Sequence, residues 1–209
     1  MWRPGFQHVS AHRARLAGYS RSFCIASTYY RGSEGRPGLV LGLDRGGACD
    51  GLAFQVPAAA REATVAYLRE RELIYGVYRE SFLPVTIEAI SEPVLALTYV
   101  AERAHPSYAG RICFREQVAM IRAASGRSGP NVDYLVNTVR HLRELGLREP
   151  GIERLLQAIG GLFCDLPSVE GGASRSHTLV AASRHVPPRM PPLSRQQRRR
   201  FGHRIQIAR

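Results

Sequence analysis

The sequence predicts an α+β fold. Three observations carry this reading: a Gly- and Pro-punctuated first third built of short β-prone runs, one helical stretch between two groups of such runs, and sustained helical periodicity from about residue 114. Strands and helices that alternated one for one would have argued for a doubly wound parallel sheet instead.

Turn signals at Arg31-Gly32 and Gly35-Arg36-Pro37-Gly38 divide the β-prone region. The runs Leu39 to Leu43 and Leu52 to Val56 flank Asp44-Arg45-Gly46-Gly47 and read as a hairpin. Pro57 suits the first turn of a helix, where its missing N–H costs nothing, and residues 58–74 carry good helix formers. Two β-branched, apolar runs over 82–90 and 93–101, separated by Ser91-Glu92-Pro93, read as a second strand pair. Three helices then close the domain. Their apolar positions are Val118, Ile121 and Ala123-Ala124, then Leu135, Val139 and Leu142, then Ile152, Leu155 and Ile159.

Length and composition predict one folded domain over residues 1–166. The chain has 209 residues, 44% of them hydrophobic and 8% aromatic. Residues 167–209, rich in Gly, Ser, Pro and Arg, are expected to be a disordered basic tail. The net charge of +12 is concentrated there, with nine arginines and no Asp or Glu after residue 170. Clustered guanidiniums bind RNA or anionic membranes by displacing counterions, but no aromatic interleaving accompanies them, so a solvated tail without specific nucleic-acid binding is the expectation. No lysine occurs among the 29 basic residues, which reads as the coding bias of a GC-rich, bacterial genome.

Several chemistries have little support. Cys24, Cys49, Cys113 and Cys164 form no C-x-x-C pair and read as reduced thiols. His8 and His12 have helix-face spacing but lack a third ligand in a Gly/Pro-broken region, so no metal site is expected. Phosphate-binding glycine motifs are missing, and Gly126 to Asn131 reads as the cap of a following helix. No stretch reaches the ~20 apolar residues that span a bilayer, nor does the N-terminus carry a signal-type apolar run; a cytoplasmic protein is expected. In Leu68-Arg69-Glu70-Arg71-Glu72, helical spacing places Glu72 between Val65 and Leu68, and Glu70 among Ala63, Ala66 and Leu73. Periodicity does not choose between the two carboxylates.

In chain order, Met1-Trp2-Arg3-Pro4-Gly5-Phe6, Arg21-Ser22-Phe23, Tyr30-Arg31-Gly32, Pro37 to Leu43, Gly46-Gly47-Ala48-Cys49 and Gly51-Leu52-Ala53-Phe54 form one constellation. It continues through Arg71-Glu72, Tyr78, Tyr99-Val100, Tyr108-Ala109-Gly110, Gly126 to Asn131 and Asp133-Tyr134-Leu135. Together these resemble the ChaC-type γ-glutamylcyclotransferases. The resemblance implies a small mixed β-sheet or barrel with an inserted helix and C-terminal helices. It also implies a cofactor-free, metal-free monomer that cleaves glutathione to 5-oxoproline and Cys-Gly.

By the same resemblance Glu72, matching the family's Arg-Glu pair, is the expected acid/base. Partial burial would raise its pKa toward the working pH, and Arg69 and Arg71 would oppose that rise if they lay close. Tyr78 and Tyr108 are candidate hydroxyl contacts to glutathione, and Arg31 is a candidate for a substrate carboxylate. Two departures stand out. Tyr30 occupies a position where His is the more usual residue. The family's substrate-holding Tyr-Gly-Ser-Leu loop and its strand precede a Met-Trp pair, and this sequence begins at that pair. A start codon assigned too far downstream, or an inactive paralogue serving as a binding module through its basic tail, would each account for this.

Overall fold

The computed structural model describes residues 4–88, 90–164 and 206–208. Two long strands, β1 (Ser10–Ser27) and β2 (Gly38–Gln55), lead into a one-turn 3-10 helix at Ala58–Ala60 and α1 (Arg61–Glu72). A second strand pair follows, β3 (Tyr78–Ile87) and β4 (Ile90–Ala101), then α2 (Phe114–Ala123). A two-residue ladder, β5 (Ser125–Gly126) with β6 (Gly129–Pro130), precedes α3 (Asn131–Glu144) and α4 (Pro150–Cys164). The last described element is β7 (Gln206–Ala208). Apart from β7, the expected tail lies outside the described residues.

The strands close a barrel in the order β1-β2-β7-β4-β3, because β1 also pairs with β3 at Ala14–Leu16 opposite Val85–Ile87. β7 lies between β2 and β4, antiparallel to Ala53–Gln55 and parallel to Ala96–Leu97. The inside of the barrel is filled by Leu16, Leu43, Ala53, Val85, Ile87, Ala96 and Val100. On one outer side α2, α3 and α4 pack their buried Ile121, Leu135, Val139, Leu155 and Ile159 against Phe23 and Leu39. On another, α1 lays Leu68 over Leu97 and Tyr99 of β4.

The α+β reading and the three closing helices hold, while the first hairpin needs correction. Asp44-Arg45-Gly46-Gly47 is no turn but the middle of the continuous strand β2. Gly46 and Gly47 take positive φ values of +106° and +73° opposite the single Gly18, so the two strands change register there by a bulge. Glycine pairs that bend a strand and glycine pairs that reverse it look alike in sequence. The reversal between β1 and β2 occurs instead at 28–37, closed by the mutual Ser33 and Arg36 backbone bonds. Similarly Pro93 lies inside β4, at the register shift between Val85 and Ile87, where a strand tolerates a residue without an N–H.

The outer edge of β2 is finished by side chains. Asn131, fully buried at the start of α3, accepts from the Leu39 N–H at 2.7 Å and donates to the Leu39 carbonyl at 2.8 Å. Two residues on, the Leu41 N–H donates to the Tyr134 hydroxyl at 3.3 Å, and the Tyr78 hydroxyl donates to the Leu41 carbonyl at 2.7 Å. Gly126 lets the β5–β6 ladder press on this region, since a Cβ there would stand 2.6 Å from the Gly32 nitrogen and the Tyr29 oxygen. Replacing Asn131 by Leu strands both Leu39 backbone groups, and an unpaired buried group costs ~1–3 kcal/mol, so urea unfolding is expected to show a loss of about 2–6 kcal/mol.

Candidate active site

Helix α1 ends where its sequence stops favouring it. Arg69 and Arg71 lie in the last turn, where cations complement exposed carbonyls, and the Leu73 N–H returns to the Arg69 carbonyl at 3.0 Å. The buried positions step along one face as Thr64, Leu68 and Glu72. Glu72 is only 6% exposed whereas Glu70 faces solvent, so tertiary packing makes the choice that periodicity left open.

Glu72 stands on the wall of a cavity of about 650 Å³, well sized for a small peptide. Phe6 and His8 from the N-terminal segment, Leu41 to Leu43 and Phe54 from β2, Tyr78 and Tyr99 from the second strand pair, and Tyr134, His141 and Leu142 from α3 complete much of the wall. Glu72 is the sole carboxylate among the described lining residues. Arg71 donates from Nε to Glu72 Oε1 at 3.0 Å and is itself fixed by the Pro4 carbonyl at 2.9 Å and the Tyr67 hydroxyl at 3.0 Å. Its guanidinium also lies over the Tyr67 ring, 5.0 Å from the centroid. Of the two arginines that precede Glu72, Arg71 lies close to it and Arg69 turns to Glu80, with both contacts at 2.6 Å.

Of the sequence-predicted residues, the fold brings Glu72 and Tyr78 to the cavity and leaves Arg31 and Tyr108 away from its lining. Arg31 binds the carbonyls of Ser128 and Pro130 at 2.6 and 3.2 Å and covers the Tyr134 ring, which clamps the approach to α3. Tyr108 donates to Asp44 Oδ2 at 2.9 Å, while Arg103 Nε and the Arg45 N–H reach Oδ1 at 2.8 and 2.9 Å. His12 is on a strand and contacts Ser10 at 2.8 Å, while His8 makes edge contacts with Phe6 and Phe54. No cluster of three or more potential metal ligands occurs among the described residues.

Sequence reasoning missed His141 on the cavity wall and gave Arg21 only as part of the resemblance, without a role. Arg21 is ion-paired with Glu149, whose carboxyl is pushed above its ordinary range by burial even though Arg21 opposes the shift. Tyr99 and Tyr134 were visible only as parts of the resemblance; nothing in their local spacing marks them as neighbours of Glu72.

Comparisons with known proteins give the family and the fold. The family described as ChaC-like protein matches residues 1–161. The chain belongs to the ChaC-like protein family. Over 165 residues it is 29% identical to the glutathione-specific gamma-glutamylcyclotransferase of Escherichia coli, covering 79% of this chain and 71% of that protein. The human glutathione-specific gamma-glutamylcyclotransferase 1 is 31% identical over 174 residues, 78% of each chain. The fold matches a crystal structure of a yeast gamma-glutamylcyclotransferase specific to glutathione, with a TM-score of 0.65 at 17% identity, over 76% of this chain and 90% of that one.

The Asp44 network makes a pH-dependent contribution to stability. Burial alone would raise the Asp44 carboxyl, but bonds from Arg103, Tyr108 and the Arg45 N–H outweigh it and hold the group below its ordinary value of 3.8. A depressed carboxyl stabilises the fold above that ordinary value and ceases to do so as pH falls through the folded one. Asp44→Asn is therefore expected to lower Tm near neutral pH and to narrow its gap from the parent protein below pH 3.8, read from melting curves across the acid range.

Proposed function

We propose that the protein is a γ-glutamylcyclotransferase acting on glutathione, with Glu72 as its acid/base. The observation that carries this reading is one buried carboxylate, held by Arg71, on the wall of a peptide-sized and mainly apolar cavity. The names of the family relatives supply the substrate class.

The reaction needs few groups because the nucleophile and electrophile belong to one residue. The α-amine of the γ-glutamyl group attacks its own γ-carbonyl carbon, a five-membered ring closes, and the bond to the cysteine nitrogen breaks to release Cys-Gly. Tethering of this kind corresponds to an effective molarity of roughly 10⁵ to 10⁸ M once the geometry is held. Water is not consumed.

What remains is proton movement. An α-amine with a pKa of about 7.7–8.0 is mostly ammonium at neutral pH and must lose a proton before attack. Glu72 accepts that proton and returns it to the departing amine nitrogen, while the second proton that the attacking nitrogen sheds on becoming the ring amide ends on the released Cys-Gly amine, which leaves as ammonium. Phe6, Leu41 and Phe54 make much of the wall apolar, so a substrate that fills the cavity displaces water against them and strengthens the polar interactions made there. Tyr78 serves as part of the wall with its hydroxyl committed to Leu41, whereas Arg31 and Tyr108 act in structure.

The reading includes a cytoplasmic, bacterial monomer. Cys24, Cys49 and Cys113 are free, as thiols are in a reducing compartment, and no helix of the described residues is long and apolar enough to cross a membrane.

The test is 5-oxoproline release from glutathione, γ-glutamyl dipeptides and γ-glutamylamines, by the 209-residue chain and by the chain extended with any codons that precede Met1. Glutathione is expected to be the preferred substrate. Preference for another γ-glutamyl compound would change the substrate within the same chemistry, and no release from any of them by either chain would overturn the proposal.

A further inference from the structure

A second carboxylate lies behind the wall that carries Glu72. Glu80 on β3 pairs directly across the ladder with Tyr99 on β4, so the two side chains share a face of the sheet, the one that α1 covers. The Tyr99 hydroxyl lies 3.5 Å from Glu80 Oε2, and Arg69 grips both Glu80 oxygens at 2.6 Å. Arg69 is one helical turn before Glu72, within reach of it for a side chain of that length. Burial raises the Tyr99 hydroxyl far above its ordinary range, and Glu80 and Glu72 add to that rise while Arg69 opposes it. The Tyr99 hydroxyl is thus the point at which Glu80, Arg69 and Glu72 are all felt.

We infer that Glu80 is a positioning residue for the cavity carboxylate: by holding Arg69 in a two-pronged ion pair it keeps that cation from Glu72, and it anchors the hydroxyl end of the wall residue Tyr99. This rests on the reading of Glu72 as acid/base. Both arginines shortly precede Glu72 in the chain, and two cations at one carboxylate would fix it in its ionised form, unsuited to returning a proton. With Glu80 present, Arg71 faces Glu72 and Arg69 is neutralised elsewhere. Among the described residues, the other titratable groups around Glu72 are Tyr67 on α1, Tyr78 on β3, Tyr99 on β4 and, around the cavity, His8, Arg21, Tyr134 and His141. Glu80 is the carboxylate that binds Arg69.

The experiment is a ¹³C NMR titration of the Glu72 carboxyl in the parent protein, Glu80→Gln, Arg69→Gln and the double variant, assigned with Glu72→Gln. In Glu80→Gln the midpoint is expected to fall by about one unit as Arg69 turns to Glu72. It is expected to return to the parent value in the double variant and to move little in Arg69→Gln. The acid limb of the 5-oxoproline rate profile should follow the same order, with kcat lowered in Glu80→Gln and KM unchanged. An unchanged midpoint in Glu80→Gln, a fall that persists in the double variant, or a rise of about a unit in Arg69→Gln would each overturn the inference. The titration does not require turnover, so a protein inactive on glutathione would defeat the functional reading without deciding this one.

Discussion

The structure depends on how β2 satisfies its second edge. One edge pairs with β1 along the whole length, from Gly38 opposite Ser27 to Gln55 opposite Ser10. Among the described residues, the other edge pairs with a strand at Ala53–Gln55, where it meets β7. Buried backbone groups need partners, and at Leu39 and Leu41 those partners are the side chains of Asn131, Tyr134 and Tyr78 rather than a neighbouring strand. Side chains are discrete where a strand is continuous. The cavity lies along this stretch, with Leu41, Gly42 and Leu43 in its wall.

Two of the three satisfying residues come from α3 and the third from β3, so the same bonds tie the helical layer and the second strand pair to the first. The arrangement also fixes what can face the cavity. With α1 packed over β3 and β4, the residues at four-residue steps, Thr64, Leu68 and Glu72, turn inward and Glu70 turns out. A carboxylate buried in this way needs a cation or a proton. Arg71 supplies the former, and its own hold on Pro4 and Tyr67 limits how far the pair can drift.

How much of this is legible in the sequence follows from the range of each interaction. The three C-terminal helices are readable because their burial repeats locally: Val118 and Ile121, Leu135 and Val139, Ile152, Leu155 and Ile159 are all buried as the period requires. The hairpin at Asp44 to Gly47 was misread because a bulge and a turn ask for the same glycines, and only the opposing Gly18, 28 residues away from Gly46, distinguishes them. Glu72 and Tyr78 were named by resemblance to a family, and the cavity contains both. Arg31 and Tyr108 were named in the same way, yet their polar ends are taken by Ser128 and Pro130 and by Asp44. The Arg69–Glu80 pair bridges a helix and a strand, and Arg21 and His141 reach the cavity from elements far apart in sequence; neither spacing nor composition encodes such contacts.

The most direct test of the account compares Glu72→Gln with Glu70→Gln, two near-isosteric changes two residues apart on one helix, in 5-oxoproline release from glutathione by a protein active in that assay. Burial at 6% against solvent exposure predicts that Glu72→Gln abolishes turnover with folding intact and that Glu70→Gln retains it within about twofold, since surface changes shift stability by only ~0.5 kcal/mol. Turnover retained by Glu72→Gln, or lost equally in both, would contradict the assignment of the buried carboxylate as the reacting group.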